Sequence, residues 1–466
     1  MSGPTGTGRP RGVLVPLALA QFICSFAGSN MNVMISDIST DLNTTVQGVQ
    51  IAITIFLLVM AALMIPCGAL TDKFGRKRCF VLGLAVYGIG AVISAVSPNL
   101  GVLILGNSIL EGVGTALLIP PVYILTTLLF TEPVGRAKAF GMIMALGGVG
   151  AAAGPLIGGL ITSALSWRAA FAFQALVIVF IIISSRRVLD PLPADRSRSF
   201  DLLGAVLSAG GLILLVTGIM VVDDDLVLSL VLLALAAAVL TAFFLAIRAK
   251  ERKGREPLLR IALFRNRTSN LGLITQNLQW LLLMGTSFVV ATYLQVVRGY
   301  NAVETGVIFT AATLGVLVTS LSAERFATRR TPRTLIRAGF VLAVAGIAVL
   351  VTMAGNSVNP WAFAPGLLLI GSGLGMMLTP SVTVVQSSFG EDEQGEISGL
   401  SRSVSNLGSS LGTAVAGTIL VAGLSAHAYA AAMLTLGAIG VGGFLAASLL
   451  PNRIVPVGTG PAPGNP

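Results

Sequence analysis

The sequence predicts an all-α polytopic membrane protein with fourteen transmembrane helices. Hydrophobic residues occupy 55% of the 466 positions and charged residues only 10%, and the mean hydropathy is +0.90. These values lie far from those of a soluble domain. The apolar residues fall into runs of about 20, the length that crosses a bilayer. The 54 glycines fit such a chain, because small residues let helices approach closely in lipid.

The apolar runs give the expected position of each helix in chain order. Six spans are expected near residues 13–36, 48–71, 79–97, 100–128, 139–163 and 167–185. A pair follows near residues 201–222 and 226–247. Six more are expected near residues 268–293, 304–322, 334–353, 360–382, 398–422 and 427–449.

The basic residues predict the orientation. An even number of spans puts both termini on one side, and of the 29 lysines and arginines only Arg168 and Arg298 fall on the opposite side. The positive-inside rule therefore predicts that both termini are cytoplasmic. Orientation explains the net charge of +10, so we expect a multi-pass protein of the plasma (inner) membrane that binds no nucleic acid.

Two charged connections, residues 186–200 and 248–267, are predicted to be cytoplasmic linkers. They separate two six-helix halves and an inserted helix hairpin. The predicted units are an N-terminal half at 13–185, the hairpin at 201–247, a C-terminal half at 268–449 and a disordered tail at 450–466.

An internal repeat supports the two halves. Residues 321–330 are a degenerate copy of the loop at residues 68–78, with Glu324 at the place of Asp72. Parallel repeats of this kind are typical of transporters.

That first loop carries a motif. Gly68, Asp72, Gly75, Arg76 and Lys77 have the spacing G-x-x-x-D-x-x-G-R-K. It resembles the loop between the second and third helices of the major facilitator superfamily, where the loop packs against the other half and holds the cytoplasmic side closed. The resemblance implies a major facilitator fold and a conformational gating loop. An ordinary positive-inside loop is the alternative.

The fifth span carries a second motif. Gly154, Pro155, Gly158 and Gly159 resemble the G-P-x-x-G-G antiporter motif that marks exporters in the same superfamily. A face of glycines permits close helix contact, and Pro155 removes one backbone donor, so that the helix can bend. Simple packing of small residues is the alternative.

Almost the whole chain resembles the 14-span drug:proton antiporter-2 branch, through its layout and through residues 257–259 and 293–295. The resemblance implies multidrug-type efflux in exchange for protons. Two stretches of sequence depart from that branch. Ala27 stands where the first span usually carries an acidic residue, and Ser108 and Glu111 replace the arginine and the glutamine of R-x-x-Q-G-x-G in the fourth span.

Glu111 is predicted to be the only ionisable side chain deep within a span. Eleven residues from Leu100 at 1.5 Å per residue put it about 16 Å deep, near the midplane, where sites lie in this architecture. A carboxylate there is costly to ionise without a partner or water. We predict that Glu111 takes part in proton coupling or cation binding, with Asn107 and Thr115 on the same face. A structural glutamate is the alternative.

Weaker candidates for the substrate cavity are amide and aromatic residues of the first and ninth spans, which can hydrogen-bond without buried charge. Interhelical hydrogen bonding is the alternative for each of them. They are Asn30, Asn32, Gln276, Asn277, Gln279, Trp280, Tyr293 and Gln295.

The sequence therefore predicts a secondary active exporter of amphipathic or cationic organic compounds that alternates access between two halves. No phosphate-binding loop is present, and no nucleophile, base or paired carboxylates suggest an enzyme. We expect no cofactor and no metal. The expected partners are a small organic substrate, protons and the lipid bilayer, and we expect a monomer. An importer or uncoupled facilitator of a natural metabolite, and a non-transporting sensor, are the alternatives.

Overall fold

Within the residues that the structure describes, the chain forms fourteen long helices and no β-strand. The predicted all-α fold class is therefore confirmed. This computed structural model describes residues 10–130, 132–188, 190, 194, 200–222, 224–322, 330–356, 359–389 and 394–452.

The first helix, α1, has three consecutive parts. They are an α-helix at Pro10–Asn30, a 3-10 turn at Met31–Met34 and a short α-helix at Ile35–Asp41. The later helices are α2 (Val46–Phe74), α3 (Arg76–Ala95), α4 (Leu100–Leu129), α5 (Pro133–Ala164), α6 (Trp167–Ser184), α7 (Leu202–Met220), α8 (Leu226–Arg252), α9 (Arg267–Val297), α10 (Ala302–Leu321), α11 (Pro332–Asn356), α12 (Ala364–Gln386), α13 (Gln394–Val421) and α14 (Ala426–Ser448).

Thirteen of the helices in the described ranges are long and apolar enough to cross a membrane. The other, α5, is bent by 44° between Lys138–Ala151 and Ala153–Ala164, and it makes fourteen if the bent pair forms one span. Pro155 accounts for the bend, because a proline cannot donate the helical hydrogen bond to the carbonyl oxygen of Ala151.

An even number of helices brings the two ends of the chain to one end of the bundle. We call this end, which holds Phe74 and Arg252, the terminal face, and we call the opposite end, which holds Asp41 and Val46, the distal face. Six of the seven described helices that begin at the distal face, all except α12, follow a residue whose side chain accepts a first-turn N–H. Such caps satisfy N–H groups that have no partner within the helix, which permits short connections. The capping residues are Thr45, Asn99, Ser166, Asp225, Asn301 and Ser425.

Each set of six helices buries its own apolar core. Helices α1–α6 share one cluster of buried side chains, which includes Phe26 and Phe171. Helices α9–α14 share a second, which includes Phe340. Met284 and Phe288 of α9 belong to the first cluster, so the two sets pack against each other at the middle of α9.

The hairpin of α7 and α8 lies along the seam between the two sets. Val216 of α7 packs with Leu58 of α2 and Ala414 of α13. Helix α8 packs against α7 and turns an apolar surface outward, including Val227 and Leu245. An outward apolar surface of this length suits contact with lipid.

Several features that the sequence predicts lie outside the described residues. They are Asp223, residues 323–329 with Glu324, most of the linker at 186–200, and the tail from residue 453 onward. The division of the chain into two halves, two linkers and an inserted hairpin stays a prediction.

Candidate transport site

The distal ends of α1 and α9 join the two six-helix sets. Gln295 lies on the π-helical end of α9, Tyr293–Val297. Its Nε2 donates to the carbonyl oxygen of Asn32 at 2.7 Å, and its Oε1 accepts the N–H of Ser36 at 3.2 Å. Asn30 is buried beside this contact, and neither polar atom of its side chain has a hydrogen-bond partner in the described part of the chain. The structure thus brings together the predicted residues Asn30, Asn32 and Gln295.

Helices α2 and α13 hold the seam closed through hydrogen bonds to backbone carbonyl groups. Gln50 Nε2 donates to the carbonyl oxygen of Thr413 at 3.3 Å. Ser410 Oγ donates to the carbonyl oxygen of Thr54 at 3.2 Å. All four residues are buried, so this side of the seam excludes water.

The predicted glycine motif of α5 packs on α1. A Cβ atom at Gly158 would lie 3.0 Å from the Cβ of Asn30, and one at Gly154 would meet the side chain of Ser29. Because these positions have no Cβ, the two helices approach closely. The contact sets the position of Asn30 at the seam.

The same stretch of α5 also packs on α10, which belongs to the second set. Gly159 lies against the carbonyl group of Ala302, and a Cβ atom at Gly306 would lie 2.5 Å from the carbonyl oxygen of Pro155. These are the closest approaches that a backbone permits, since any larger residue would displace its neighbour. The motif therefore lies in the distal closure.

Glu111 is fully buried inside the first set of helices, between α3 and α4. Ser94 Oγ donates to Glu111 Oε1 at 3.3 Å, and Oε2 has no hydrogen-bond partner among the described residues. The side chain of Tyr87 also approaches Glu111, and its hydroxyl donates to Gln174 Oε1 at 2.5 Å. We call Tyr87, Ser94, Glu111 and Gln174 the buried polar cluster.

A π-helical segment of α4, Ile104–Glu111, directs its polar residues to different neighbours. Asn107 Nδ2 lies 3.4 Å from the sulfur of Met31 in α1, whereas Glu111 faces α3. The sequence predicted Asn107 and Glu111 on a common face of an α-helix. In the structure the two side chains contact different helices, since Glu111 accepts a hydrogen bond from Ser94 of α3.

Three amide residues of α9 bond to helices of their own set. Ser401 Oγ donates to Gln276 Oε1 at 2.8 Å, and Ser381 Oγ donates to Gln279 Oε1 at 3.0 Å. Asn277 Nδ2 donates to a backbone carbonyl group of α13 at 2.9 Å. These bonds join α9 to α12 and α13.

The predicted aromatic candidates of α9 also lie within the second set. The ring of Tyr293 packs on that of Tyr429 with centroids 4.3 Å apart, and its hydroxyl accepts from Arg298 Nε at 3.2 Å. Trp280 is half-buried. Of the α9 candidates, Gln295 is the one whose described hydrogen bonds reach α1.

The predicted gating loop binds a carboxylate. The chain turns at Gly75 with φ of +98°, which favours glycine. The backbone N–H groups of Arg76 and Lys77 donate to Asp190 Oδ2 at 2.7 and 3.3 Å. These are unbonded N–H groups at the start of α3, where the helix dipole also favours an anion.

Asp190 follows α6, so the described hydrogen bonds of this loop remain within the first set of helices. The resemblance implied packing against the other half. Gly68 is half-buried beside Pro120 of α4, and the side chain of Asp72 lies outside the described part of the structure.

Sequence analysis missed Arg402, which lies within the predicted span at 398–422. Its guanidinium lies over the ring of Tyr123 in α4, 4.8 Å from the centroid, and hydrogen-bonds to the Tyr123 hydroxyl. That hydroxyl donates to Gln21 Oε1 of α1 at 3.0 Å. Arg402 thus joins the two sets on the terminal-face side of the membrane. Arg402 lies only four residues inside the span predicted at 398–422, near the terminal face, whereas Glu111 was predicted as the ionisable side chain deep within a span.

Comparison with known proteins fixes the family. The profile of the Major Facilitator Superfamily matches residues 17–413. The chain belongs to this superfamily. Among solved structures, this major facilitator protein is similar to the peptide transporter POT in complex with sulfate, with a TM-score of 0.69 over 96% of this chain and 95% of that one. The two sequences are 15% identical, so this likeness concerns the fold.

Curated relatives cover most of the chain. It is 31% identical to the puromycin resistance protein pur8 of Streptomyces alboniger, over 89% of this chain and 82% of that protein. It is 27% identical to the multidrug resistance protein Stp of Mycobacterium tuberculosis, over 89% of this chain and 76% of that protein. It is 29% identical to the tetracenomycin C resistance and export protein of Streptomyces glaucescens, again over 89% of this chain and 76% of that protein. These relatives are consistent with the predicted drug:proton antiporter-2 branch.

Family membership makes the chain a multi-pass membrane transporter and not an enzyme. The described part of the chain contains no group of three or more His, Cys, Asp or Glu side chains that would hold a metal ion.

Proposed function

We propose that this major facilitator protein exports small amphipathic or cationic organic compounds by alternating access. The names of its relatives refer to resistance to puromycin, to resistance to and export of tetracenomycin C, and to multidrug resistance. The observation that carries the proposal is the distal closure, in which Gln295 bonds to Asn32 and Gly306 packs on Pro155. Such a closure is one of the two gates that alternating access requires.

The two ends of α5 support a rocking motion of the halves. At the distal end its glycines touch α1 and α10. Towards the terminal face, a Cβ atom at Gly141 or Gly148 would meet nothing within 4 Å, whereas one at Gly147 or Gly150 would meet Gln21 or Phe22 of α1. Contact with α10 at the distal end, and open space beside Gly141 and Gly148, suit a helix that stays with α1 and pivots against α10.

We further propose that the terminal face lies in the cytoplasm and the distal face outside the plasma membrane. Of all the lysines and arginines, only Arg168 and Arg298 belong to the distal connections, as the positive-inside rule requires. The closed distal seam then corresponds to a conformation closed to the outside, and the substrate would enter from the cytoplasm.

Energy for export would come from proton antiport through Glu111. The support is its complete burial within a cluster of groups that can exchange hydrogen bonds, because an intramembrane carboxylate is costly and commonly functional. One observation favours the alternative of an uncoupled facilitator. The described contacts of Glu111 are all with the first set of helices, so it does not bridge the seam.

The test is substrate-dependent proton movement in proteoliposomes that contain a pH-sensitive dye. We would compare the wild type with Glu111→Gln over a panel of organic cations, anions and neutral amphiphiles. Glu256→Gln is the matched control, because Glu256 is exposed in the linker on the terminal face. We expect proton movement with the wild type and Glu256→Gln and its loss with Glu111→Gln.

Three other results would change the assignment. Transport without proton flux, unaltered by Glu111→Gln, would make the protein a facilitator and Glu111 a structural residue. Uptake towards the terminal face at physiological gradients would make it an importer. Binding of a ligand that never crosses sealed vesicles would make it a sensor.

A further inference from the structure

A cavity opens on the distal face beside the seam. Its volume is about 430 Å³, which lies within the range of small-molecule pockets. The end of α1, the end of α5 and the start of α6 form its walls. We call it the distal vestibule, and its lining residues are Ser36, Asp37, Thr40, Asp41, Thr162, Leu165, Ser166, Trp167 and Arg168.

Of the two carboxylates that line the vestibule, Asp41 forms an ion pair and Asp37 forms none within the described residues. Asp41 forms an ion pair with Arg168 and accepts the indole N–H of Trp167 at 3.0 Å. Arg168 also donates to the carbonyl oxygen of Ser97 at 2.9 Å. Asp37 lies one helical turn before Asp41 and has no ion pair within the described residues. Two carboxylates against one guanidinium give the vestibule a net negative charge.

A buried hydroxyl points to a missing ligand. Thr162 lines the cavity and is only 6% exposed, yet its Oγ1 has no hydrogen-bond partner in the described part of the protein. Leaving a buried polar atom unbonded costs free energy, so a ligand that supplies the bond is favoured. Thr40 adds a hydroxyl, and Leu165, which is 78% exposed, adds an apolar surface.

The vestibule also touches the distal closure. Ser36 lines the cavity, and its backbone N–H donates to Gln295 Oε1 of α9. The vestibule therefore adjoins a residue whose hydrogen bond must break when the distal seam opens.

We propose that the distal vestibule binds amphipathic organic monocations at the exit of the transport pathway, with Asp37 as the counter-ion. An ammonium group pairs with the Asp37 carboxylate, a donor on the ligand bonds to Thr162 Oγ1, and the apolar part covers Leu165. A bare metal ion would gain nothing from Leu165. The inference rests on the proposed export function, because it assigns the site to substrates that leave.

The test is equilibrium dialysis of radiolabelled benzylammonium against the full chain in lipid nanodiscs. Benzylammonium is a small aromatic monocation with N–H donors. We would compare the wild type with Asp37→Asn, Asp37→Glu and Thr162→Val. We expect Asp37→Asn to weaken binding on the order of tenfold, Thr162→Val about threefold, and Asp37→Glu to retain most of the affinity.

Asp224→Asn is the matched control, since it removes the same charge from the distal face outside the vestibule. We expect it to bind like the wild type, and we expect benzylsulfonate, of opposite charge, not to compete. Equal affinity of the wild type and Asp37→Asn would overturn the proposal. So would an equal loss with Asp224→Asn, which would indicate only a diffuse surface charge.

Efflux assays separate this proposal from the proposed function. If Asp37→Asn loses benzylammonium binding but the wild type exports no compound, the export proposal fails. The vestibule then remains a binding site for organic cations. If export of organic cations proceeds and binding is insensitive to Asp37, the vestibule proposal fails and the export function stands.

Discussion

Asp201 and Lys250 form an ion pair that joins the start of α7 to the end of α8, with 2.5 Å between Oδ1 and Nζ. Asp201 also accepts the N–H of Gly204 in the first turn of α7 at 2.7 Å and the N–H of Leu258 in the following linker at 3.0 Å. One buried carboxylate thus joins the start of α7, the end of α8 and the chain that leads to α9. The hairpin is therefore held to the segment that precedes the second set of helices.

This arrangement predicts a pH dependence. Burial raises the pKa of Asp201, but the hydrogen bond from Lys250 and those from the Gly204 and Leu258 N–H groups outweigh burial and hold the pKa below its usual range. A carboxyl group whose pKa is lower in the folded state stabilises that state above its unfolded pKa of about 3.9. The stabilisation is lost as the pH falls from there through the folded pKa.

Asp201→Asn should lower the free energy of unfolding at pH 7 by roughly 1–3 kcal/mol, because asparagine keeps a cap for α7 but loses the charged partner of Lys250. The difference from the wild type should shrink below about pH 4. Thermal unfolding followed by circular dichroism in detergent between pH 7 and pH 3 measures it. Asp225→Asn, at the exposed cap of α8, is the control. A deficit of the same size at every pH would contradict the prediction.

The contact of α5 with α10 predicts how the distal seam opens. Valine at Gly306 would collide with the carbonyl oxygen of Pro155, which is 2.5 Å from the position of the first side-chain carbon. The helices must separate, so Gly306→Val should shift the population towards a distal-open conformation. A cysteine at Met31, buried in the 3-10 turn of α1, should then react faster with an impermeant maleimide.

The labelling experiment uses a background without the three native cysteines and adds the maleimide from the distal side. Gly148→Val is the matched control, because it makes the same change in a helix where a new Cβ atom meets nothing within 4 Å. It should react like the parent protein. Equal acceleration by both valines would trace the effect to helix propensity and not to the seam.

The contact between Arg402 and Tyr123 predicts a graded effect on the same equilibrium. Tyr123→Phe keeps the ring under the guanidinium but loses the hydroxyl that bonds to Arg402 and to Gln21. Arg402→Gln loses both contacts with Tyr123, the cation–π contact and the hydrogen bond. A cation–π contact contributes about 0.5–1 kcal/mol, so Arg402→Gln should change the ratio of the two conformations about twofold to fivefold, and Tyr123→Phe should change it less.

Spin labels at Val96 and Trp361 report this ratio. Both residues lie on the distal face, one in each set of helices, and they are 70% and 57% exposed. Loss of a contact on the terminal-face side favours the conformation that is open there and closed at the distal face. Pulsed electron resonance would therefore show a smaller fraction of long distances in the variants, in the order given above. Unchanged distances with Arg402→Gln would mean that the contact persists in both conformations and does not favour either.

The sequence predicted the fold more fully than the site, for physical reasons. Helix positions follow from the length of each apolar run, which a bilayer fixes, and the bend of α5 follows from the missing N–H of Pro155. The π-helical segment of α4 has no such sequence mark, and the spacing of Asn107 and Glu111 does not indicate which neighbouring helix each side chain contacts. The partners of a polar side chain are less predictable still, because Arg402 meets Tyr123 across 279 positions of sequence.

Charge patterns predict the sides of the membrane, but they do not indicate which groups come into contact. The loop with Arg76 and Lys77 was predicted to pack on the other half, but its backbone N–H groups bind Asp190. That pairing depends on where the chain after α6 returns, which hydropathy does not encode. Asp37 was not predicted either, since its vestibule exists only once α1, α5 and α6 are assembled.

The buried polar cluster makes a last prediction, which separates a structural role from a coupling role. Tyr87 is fully buried and its hydroxyl donates to Gln174 at 2.5 Å, so Tyr87→Phe leaves a buried acceptor without its donor. The free energy of unfolding should fall by about 1–3 kcal/mol.

If Glu111 couples transport to protons, Tyr87→Phe should also move the pH profile of transport at saturating substrate, because Tyr87 approaches that carboxylate. Thr126→Val, which removes a buried hydroxyl of α4 that bonds within its own helix, should leave the profile in place. A loss of stability with an unmoved profile would assign the cluster to structure alone.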